Sequence, residues 1–393
     1  MRVRAVTVGL CGSEDWSLLR QRLRDANWTG AQIKAALADH GVPTDFVRLA
    51  TDPFGRWVQS IDLESLAHEL EELDIDAISL GRAMSDEDLK WIPRFIEASP
   101  RISCSALLRQ SAEHQQLPDE DHALKISKVI STLDWRQGFN FCVSCGSIPD
   151  NIPFLPVASR EVPTSTAEES AFLISIATEN SDILEQAAEI STGPSELHRN
   201  VKKLLEPHLM RIEEIVVTIL KTCTEPRNLA ATYCGIDPSA NPCIDGKTSI
   251  GKAIEISLKN RPVGSVGSIS VVAAISSALR TLNVKKVGYA GVMLPVLEDI
   301  TLCKRVNEGS LGLSSLLQLS SVCGVGLDTI PISHSLTPEE IAKVVMDVGA
   351  LAMRWDKPLS IRLLRLRGEP GEIAHPKDAP SFLHPAAIMD INS

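Results

Sequence analysis

The residues best suited to chemistry lie in the last third of the chain, where two adjacent carboxylates open a predicted helix. Glu298 and Asp299 follow the apolar run 288–294. A helix start stabilises carboxylates through its unpaired N–H groups, which would be a structural role. Loops at strand ends also form ligand sites in α/β folds, where a carboxylate can act as general acid or base or bind a divalent cation. Because successive helical residues diverge by about 100°, we expect only one of the two to face a substrate.

A thiol beside two glycines forms the second candidate for chemistry. Cys323 is followed by Gly324, by Gly326 and then by a predicted strand that contains Asp328. The glycines let the backbone turn sharply and a ligand approach closely, and a thiolate there can act as nucleophile or acid/base group. The structural alternative is a small buried side chain beside a tight turn. Asp328 would orient a catalytic partner or cap the turn.

Two segments are suited to bind the anionic end of a substrate. Arg48 ends an early predicted strand, and a guanidinium presents two parallel donors to a carboxylate. Gly264, Gly267 and Ser268 precede the predicted helix 271–281, whose first N–H groups could hold a carboxylate or phosphate. Structural roles stay open for both, namely an ion pair for Arg48 and a serine cap for the turn. The turn matches neither a full phosphate-binding loop nor a dinucleotide fingerprint.

Short aliphatic strands alternate with longer helical patterns along the whole chain, which predicts an α/β fold. Helical spacing of apolar residues covers 63–73 and 338–352, the latter behind a capping box that begins at Thr337. Residues 180–224 read as helix interrupted near Gly193. We expect a single domain over 1–393 with an irregular tail at 368–393, arranged as a barrel or a doubly wound sheet. The predicted strands are 3–10, 45–50, 76–80, 140–144, 171–178, 286–290, 327–332 and 359–366.

Composition and charge argue against several classes of protein. The net charge is −11, so we expect no nucleic-acid partner and no attraction to anionic lipid, since both need basic patches. No apolar run approaches the roughly 18 residues of a membrane span, and the first residues do not resemble a secretory signal. We therefore expect a cytoplasmic protein with reduced cysteines. No spacing of histidines predicts a dedicated metal site.

Several ordered segments carry a resemblance to a known family. The chain resembles the domain-of-unknown-function family 711, also called uncharacterised protein family 0210, whose structures are similar to the ten-stranded α/β barrel of the pyruvate formate-lyase class. The resemblance spans nearly the whole chain but implies no reaction or catalytic residue. The segments that carry it are RLATDPF at 48–54, NIPFLP at 151–156, GSVGS at 264–268, GYAGVMLPVLED at 288–299, LCKR at 302–305, CGVGLDTIP at 323–331 and DKP at 356–358.

The resemblance to a radical-enzyme fold does not extend to radical chemistry. A glycyl radical needs a loop near the C-terminus, whereas the nearest match, around Gly288, lies about a hundred residues before the end, so we expect no glycyl radical. The chain also departs from the family where Ser333, His334 and Ser335 replace the usual Pro-Gly-Asp. Any function that relies on that acidic residue is in doubt here.

Together these features predict an enzyme that acts on a small polar metabolite bearing a carboxylate. Arg48 and the turn at 264–268 would bind the anion, and Cys323 with Glu298 or Asp299 would perform acid/base or thiol chemistry. One alternative is a non-catalytic metabolite-binding or regulatory protein. Another is a hydrolase or lyase assisted by magnesium or manganese at Glu298, Asp299 and Asp328. The cofactor stays unknown, and we expect a homo-oligomer, with a dimer as default.

Overall fold

The computed structural model describes residues 1–114, 116–223, 229–375 and 378–392. Its strands are β1 (Arg2–Leu10), β2 (Thr44–Thr51), β3 (Ala77–Ala83), β4 (Ile102–Leu107), β5 (Phe141–Cys145), β6 (Phe172–Glu179), β7 (Ala231–Asp237), β8 (Gly326–Ser333), β9 (Leu359–Leu366), β10 (Ile373–Ala374) and β11 (Ala386–Ala387). Its α-helices are α1 (Trp16–Asp39), α2 (Leu63–Glu72), α3 (Ile92–Ala98), α4 (Glu120–Thr132), α5 (Trp135–Phe139), α6 (Thr166–Ser170), α7 (Ser181–Glu189), α8 (Pro194–Cys223), α9 (Ile250–Ser257), α10 (Ser268–Arg280), α11 (Ile300–Asn307), α12 (Leu313–Ser320) and α13 (Pro338–Arg354). Short 3-10 helices lie at Phe54–Arg56, Val58–Ser60 and Asp88–Trp91.

Nine of these strands form one mixed sheet in the order β7-β6-β1-β2-β3-β4-β5-β9-β8. Strands β1 to β5 run parallel to one another, whereas β6 and β9 are antiparallel to their neighbours β1 and β5. β7 is parallel to β6, and β8 is parallel to β9. The central strands are buried on both faces, which explains their almost continuous apolar sequences. The predicted α/β class is therefore confirmed.

An irregular segment, residues 286–295, lies between the two edge strands of this sheet. It forms isolated bridges with the β7 side at Ile236 and Ala240 and with β8 at Asp328. The prediction of a regular strand at 286–290 is wrong. The cause is a contact distant in sequence. The buried Asp237 carboxylate accepts the N–H groups of Tyr289 and Ala290, at 2.9 and 3.1 Å, and these groups would otherwise donate to a neighbouring strand.

The two faces of the sheet carry different side chains, as the alternation along a strand requires. On β2, Val47 and Leu49 are buried in the main core, and α1 packs closely enough there that a Cβ on Gly30 would lie 2.4 Å from Val47. The connection after β5 lies over the other face of the sheet, which we call the inner face. Thr7 donates to the Pro153 carbonyl at 2.8 Å. This connection covers one part of the inner face and leaves a cavity beside it.

Several predicted local features are present in the structure, and others differ. The capping box of Thr337 is present, and the helix break near Gly193 is confirmed by the gap between α7 and α8. The structure also contains β4 and β7, which the sequence does not predict. Their sequences, ISCSAL and ATYCGID, lack a run of β-branched residues. The tail is mostly irregular as predicted, apart from the β10–β11 pair; residues 376, 377 and 393 lie outside the described part. No helix within the described residues is long and apolar enough to span a membrane.

Candidate functional site

A cavity of about 180 Å³ lies on the inner face of the sheet. Ala77 and Cys142, near the amino ends of β3 and β5, contribute to it, as does the chain that follows β7. This is the edge opposite to the carboxyl ends of β1–β5. The connection 151–160 packs over Thr7 and Ser79 inside the sheet and borders the cavity with residues 154–157. The lining residues are Arg4, Phe46, Arg48, Ala77, Ser103, Phe139, Asn140, Cys142, Phe154, Leu155, Pro156, Val157, Asn241, Pro242, Ile244, Tyr289, Met293, Pro295, Glu298, Val325, Asp328, Ser360, Arg362 and Phe382.

One wall of the cavity holds two carboxylates on a single guanidinium. Arg362 on β9 donates from Nε to Asp328 on β8 at 2.7 Å, and from Nη2 to Glu298 at 2.6 Å. All three side chains are at most 16% exposed. The same guanidinium also lies 4.7 Å from the ring centroid of Phe139. Such short charge-assisted bonds fix the orientation of both carboxylates.

Glu298 is set apart from an exposed glutamate by its surroundings. Burial raises its pKa, and the nearby negative charge of Asp328 raises it further, while the positive charge of Arg362 opposes the shift. A carboxyl group whose pKa lies closer to neutrality can both accept and donate a proton near physiological pH. Glu298 combines this raised pKa with a place in the cavity wall, which is the environment expected of a general acid or base.

Arg48 contributes a second guanidinium to the same cavity. It lies in the middle of β2, so the prediction that it ends the strand is wrong. It lies 5.0 Å from the ring centroid of Phe46, two residues earlier on the same strand face. Within the described part of the chain Arg48 makes no ion pair and no side-chain hydrogen bond. Burial lowers its pKa to about 10, and the positive charge of Arg4 adds to that effect. A partly desolvated cation without a direct counterion is a strong binding group for an anion.

Arg4 and Tyr289, two other polar residues of the wall, already have partners. Arg4 pairs with Glu179 at 3.0 Å and donates to the Pro242 carbonyl at 2.5 Å, which holds the chain after β7 against the cavity. The hydroxyl of Tyr289 hydrogen-bonds to that of Ser360. Burial raises the pKa of Tyr289 well above its usual value, so this hydroxyl keeps its proton.

Comparison with known proteins identifies the family to which the chain belongs. A family model described as "Uncharacterised ACR (DUF711)" matches residues 1–375. The chain belongs to this family. A UPF0210 protein of Limosilactobacillus reuteri is 22% identical over 422 residues, covering 99% of this chain and 91% of its own length. A UPF0210 protein of Pyrobaculum aerophilum is 26% identical over 277 residues, covering 69% of this chain and 59% of its own length.

The predicted DUF711 assignment is thus confirmed. A UPF0210 protein of Pyrobaculum arsenaticum is 24% identical over 253 residues, and the chain spans only 54% of that relative's length. Among solved structures, the anaerobic ribonucleotide reductase from Thermotoga maritima has a TM-score of 0.45 and 12% identity, over 92% of this chain and 74% of that one. None of these names states a reaction for the DUF711 family.

Of the sequence-predicted site residues in this DUF711 chain, Arg48, Glu298 and Asp328 line the cavity together. Asp299 does not line the cavity, because its carboxylate is hydrogen-bonded at the N-termini of α9 and α11. It accepts from the backbone N–H of Leu302 in α11 at 3.0 Å and from that of Ile250 in α9 at 2.7 Å, as well as from Ser249 Oγ at 2.7 Å. Its geometry matches the structural role that the sequence left open.

Cys323 and its glycines also lie outside the cavity lining. Cys323 is fully buried in the main core, and its Sγ accepts the Gly326 N–H at 3.2 Å. Gly324 faces Gly291 of the irregular segment, where a Cβ would lie 2.7 Å from the Gly291 carbonyl carbon. Gly326 has φ 103° and leaves no room for a Cβ beside the Ser360 carbonyl. These residues allow a close backbone approach, and their role in chemistry stays a prediction.

The turn at 264–268 lies at the start of α10, and its residues are not among those that line the cavity. The Gly264 N–H donates to Ser268 Oγ at 3.1 Å, and that hydroxyl donates to the Ser265 carbonyl at 2.7 Å. Gly267 has φ 108° at the start of α10. The turn is therefore closed on itself by its own hydrogen bonds, and its anion-binding role stays a prediction.

Several cavity residues do not stand out in the sequence. Arg362 is visible there only as part of an arginine-bearing strand, and Arg4, Phe46, Phe139 and Phe382 lie in no recognised segment, unlike Phe154 in NIPFLP. A signal exists for both arginines, since each interrupts an otherwise apolar strand that is buried on both faces. Within the described residues, no group of three or more His, Cys, Asp or Glu side chains is arranged to hold a metal ion.

Proposed function

We propose that this protein is an enzyme that binds a small carboxylate-bearing metabolite in the cavity and transfers a proton on it through Glu298. The observation that carries the proposal is the combination of two groups in one cavity. Arg48 supplies a positive charge with no ion pair to any described residue, and Glu298 is a carboxyl group whose pKa is raised by burial. Perturbed titratable groups that converge on one pocket are typical of catalytic sites.

Arg48 is the binding group in this proposal. A guanidinium gives a carboxylate two parallel hydrogen bonds, and the low dielectric of the cavity strengthens the attraction. Arg4 and Arg362 are committed to Glu179 and to the Asp328–Glu298 pair, so a ligand carboxylate competes with fewer internal anions at Arg48. Ligand binding would also offset the cost of burying this charge.

Glu298 is the acid/base group, and Arg362 with Asp328 are its positioning residues. Arg362 fixes one oxygen of Glu298 and keeps the group from protonating permanently, while Asp328 on the other side of the guanidinium balances its charge. Thiol chemistry has less support. Cys142 lines the cavity, but burial raises the pKa of its thiol, which disfavours the nucleophilic thiolate.

The main alternative is a non-catalytic binding protein that uses the same cavity. It shares the role of Arg48 but requires no proton transfer by Glu298. The metal-assisted alternative would need Glu298, Asp299 and Asp328 on one ion, whereas Asp299 is hydrogen-bonded to two helix starts. The experiment must therefore separate turnover from binding.

Deuterium exchange provides that separation. Acetate, lactate, pyruvate, succinate and phenylacetate would be incubated with the protein in D₂O, and their carbon-bound protons followed by proton NMR. We expect saturable exchange next to the carboxylate or carbonyl of at least one compound. Glu298→Gln should slow this exchange by a factor on the order of 100 or more while leaving its binding in place.

The matched control is Glu308→Gln, since Glu308 lies on the surface, paired with Arg305. It should exchange at the wild-type rate. Binding of these compounds without exchange by the wild-type protein would contradict the catalytic proposal and favour the binding protein.

A further inference from the structure

The distribution of phenylalanine over the fold is uneven. The chain has only eight phenylalanines, and four of them, Phe46, Phe139, Phe154 and Phe382, line the cavity with part of their surface exposed to it. The other four are buried in the cores, each at most 4% exposed. An otherwise aliphatic protein therefore places half of its phenylalanine side chains around one small space. Aliphatic side chains would have sufficed to fill it.

These rings lie next to the charged groups of the cavity. Phe46 is 5.0 Å from the guanidinium of Arg48, and Phe139 is 4.7 Å from that of Arg362. The ring of Phe382 lies 6.1 Å from that of Phe139. An anion bound at Arg48 would thus extend into a wall of aromatic rings. Exposed apolar surface of this kind gains free energy when an apolar ligand body covers it.

The volume of the cavity limits the size of the apolar part of the ligand. The cavity volume is about 180 Å³, and an apolar protein cavity of about 150 Å³ is known to hold one benzene molecule. One ring or a branched alkyl group with a short acid chain fills the available space.

One of the four rings comes from the C-terminal tail. The tail that carries Phe382 is anchored where the His384 N–H donates to the Leu297 carbonyl at 2.7 Å. Leu297 directly precedes Glu298 in the chain, so the tail is fixed next to the acid/base group. This places Phe382 where it can contact the far end of a ligand.

Further contacts fix the turn around Phe382 on both sides. The Leu383 N–H donates to the Pro380 carbonyl at 2.9 Å. Cys303 Sγ donates to the Pro385 carbonyl at 3.1 Å. A ring held by backbone contacts on both sides loses little conformational freedom on binding a ligand, so it can discriminate between ligand shapes.

We infer that the ligand is a carboxylate on a compact aromatic or branched apolar body, and that Phe382 is a specificity-determining residue for that body. This inference rests on the proposed function, because it takes the carboxylate to bind at Arg48. It also changes the expectation from the sequence, which is a small polar metabolite.

Titration calorimetry with acetate and phenylacetate tests the inference, since the two compounds share the carboxylate and differ in the ring. We expect the wild-type protein to bind phenylacetate at least about tenfold more tightly than acetate. Phe382→Ala should weaken phenylacetate binding about tenfold and leave acetate binding unchanged, with Phe382→Leu between the two. Trp355→Ala is the control, because Trp355 is 61% exposed and lies outside the cavity.

The other outcomes are distinct. Equal affinity for both compounds would overturn the inference and leave the proposed function standing. If Phe382→Ala and Phe382→Leu both weaken the binding of acetate and of phenylacetate by the same factor, Phe382 does not determine specificity. Binding of neither compound by the wild-type protein would count against the proposed function as well.

Discussion

At the scale of single residues, the site depends on charges that are only partly compensated. Arg362 bridges Glu298 and Asp328 on one wall, and Arg48 lies in the same cavity without an ion pair in the described part of the chain. Burying charges costs free energy unless they are paired and hydrogen-bonded. The raised pKa of Glu298 and the lowered pKa of Arg48, both caused first by burial, are direct consequences of that cost.

The stability of the protein should depend on pH through Glu298. Its pKa is raised above the ordinary value of 4.5, so the folded chain keeps a proton that the unfolded chain has already lost. The free energy of unfolding therefore falls as the pH rises from about 4.5 through the folded pKa. For each pH unit by which that pKa is raised, the loss is about 1.4 kcal/mol.

Urea unfolding of the wild type and of Glu298→Gln between pH 5 and pH 8 measures this effect. The wild type should lose more stability over that range than Glu298→Gln, which cannot ionise. Glu87→Gln serves as control and should follow the wild type, since the Glu87 side chain is 79% exposed. Parallel curves for the wild type and Glu298→Gln would contradict a raised pKa.

At the scale of elements, close backbone contacts join β8 to the irregular segment 286–295. Gly324 and Gly291 lie against each other with no room for a side chain on either. The Gly324 N–H donates to the Val292 carbonyl at 2.6 Å, and the Val296 N–H to the Asp328 carbonyl at 3.0 Å. The segment supplies Tyr289 and Met293 to the cavity and leads directly into Glu298.

Gly324→Ala should therefore destabilise the fold. The added Cβ would lie 2.7 Å from backbone atoms of Gly291, and neither backbone can yield without breaking these hydrogen bonds. We expect a loss of about 1–3 kcal/mol in the free energy of unfolding, measured in urea. Gly193→Ala is the matched control, because a Cβ added at Gly193 would meet no atom within 4 Å. A loss no greater than that of the control would show that the contact is not tight.

Patterns of neighbouring residues predict most helices and strands well. The features that the sequence does not show depend on contacts between residues that are distant along the chain. The capping box at Thr337 lies within four residues and is visible in the sequence. The irregular path at 286–290 depends on Asp237, which is about fifty positions earlier. Arg48, Glu298 and Asp328 are predictable by residue type, although Arg48 lies inside β2 and the segment before Glu298 is irregular. Their partner Arg362 can be assigned only once β8 and β9 are known to be neighbours.

At the scale of the whole molecule, the cavity joins residues from both ends of the chain. Arg4 lies on the first strand and Phe382 in the tail, and the sheet order brings them around one space. The net charge of −11 would repel an anionic metabolite at long range, so recognition must come from the local arginine. No sequence pattern shows that convergence, because it depends on strand order rather than on spacing along the chain.

The most direct test of the account is whether Arg48 binds a carboxylate. Calorimetry with phenylacetate and acetate would compare the wild type with Arg48→Leu and with Arg354→Leu, a surface arginine that also lies beside an aromatic ring, 5.4 Å from Trp355. We predict that Arg48→Leu weakens binding at least about tenfold, as expected for a lost charge-assisted pair, while Arg354→Leu binds like the wild type. Equal binding by the wild type and Arg48→Leu would contradict the central claim.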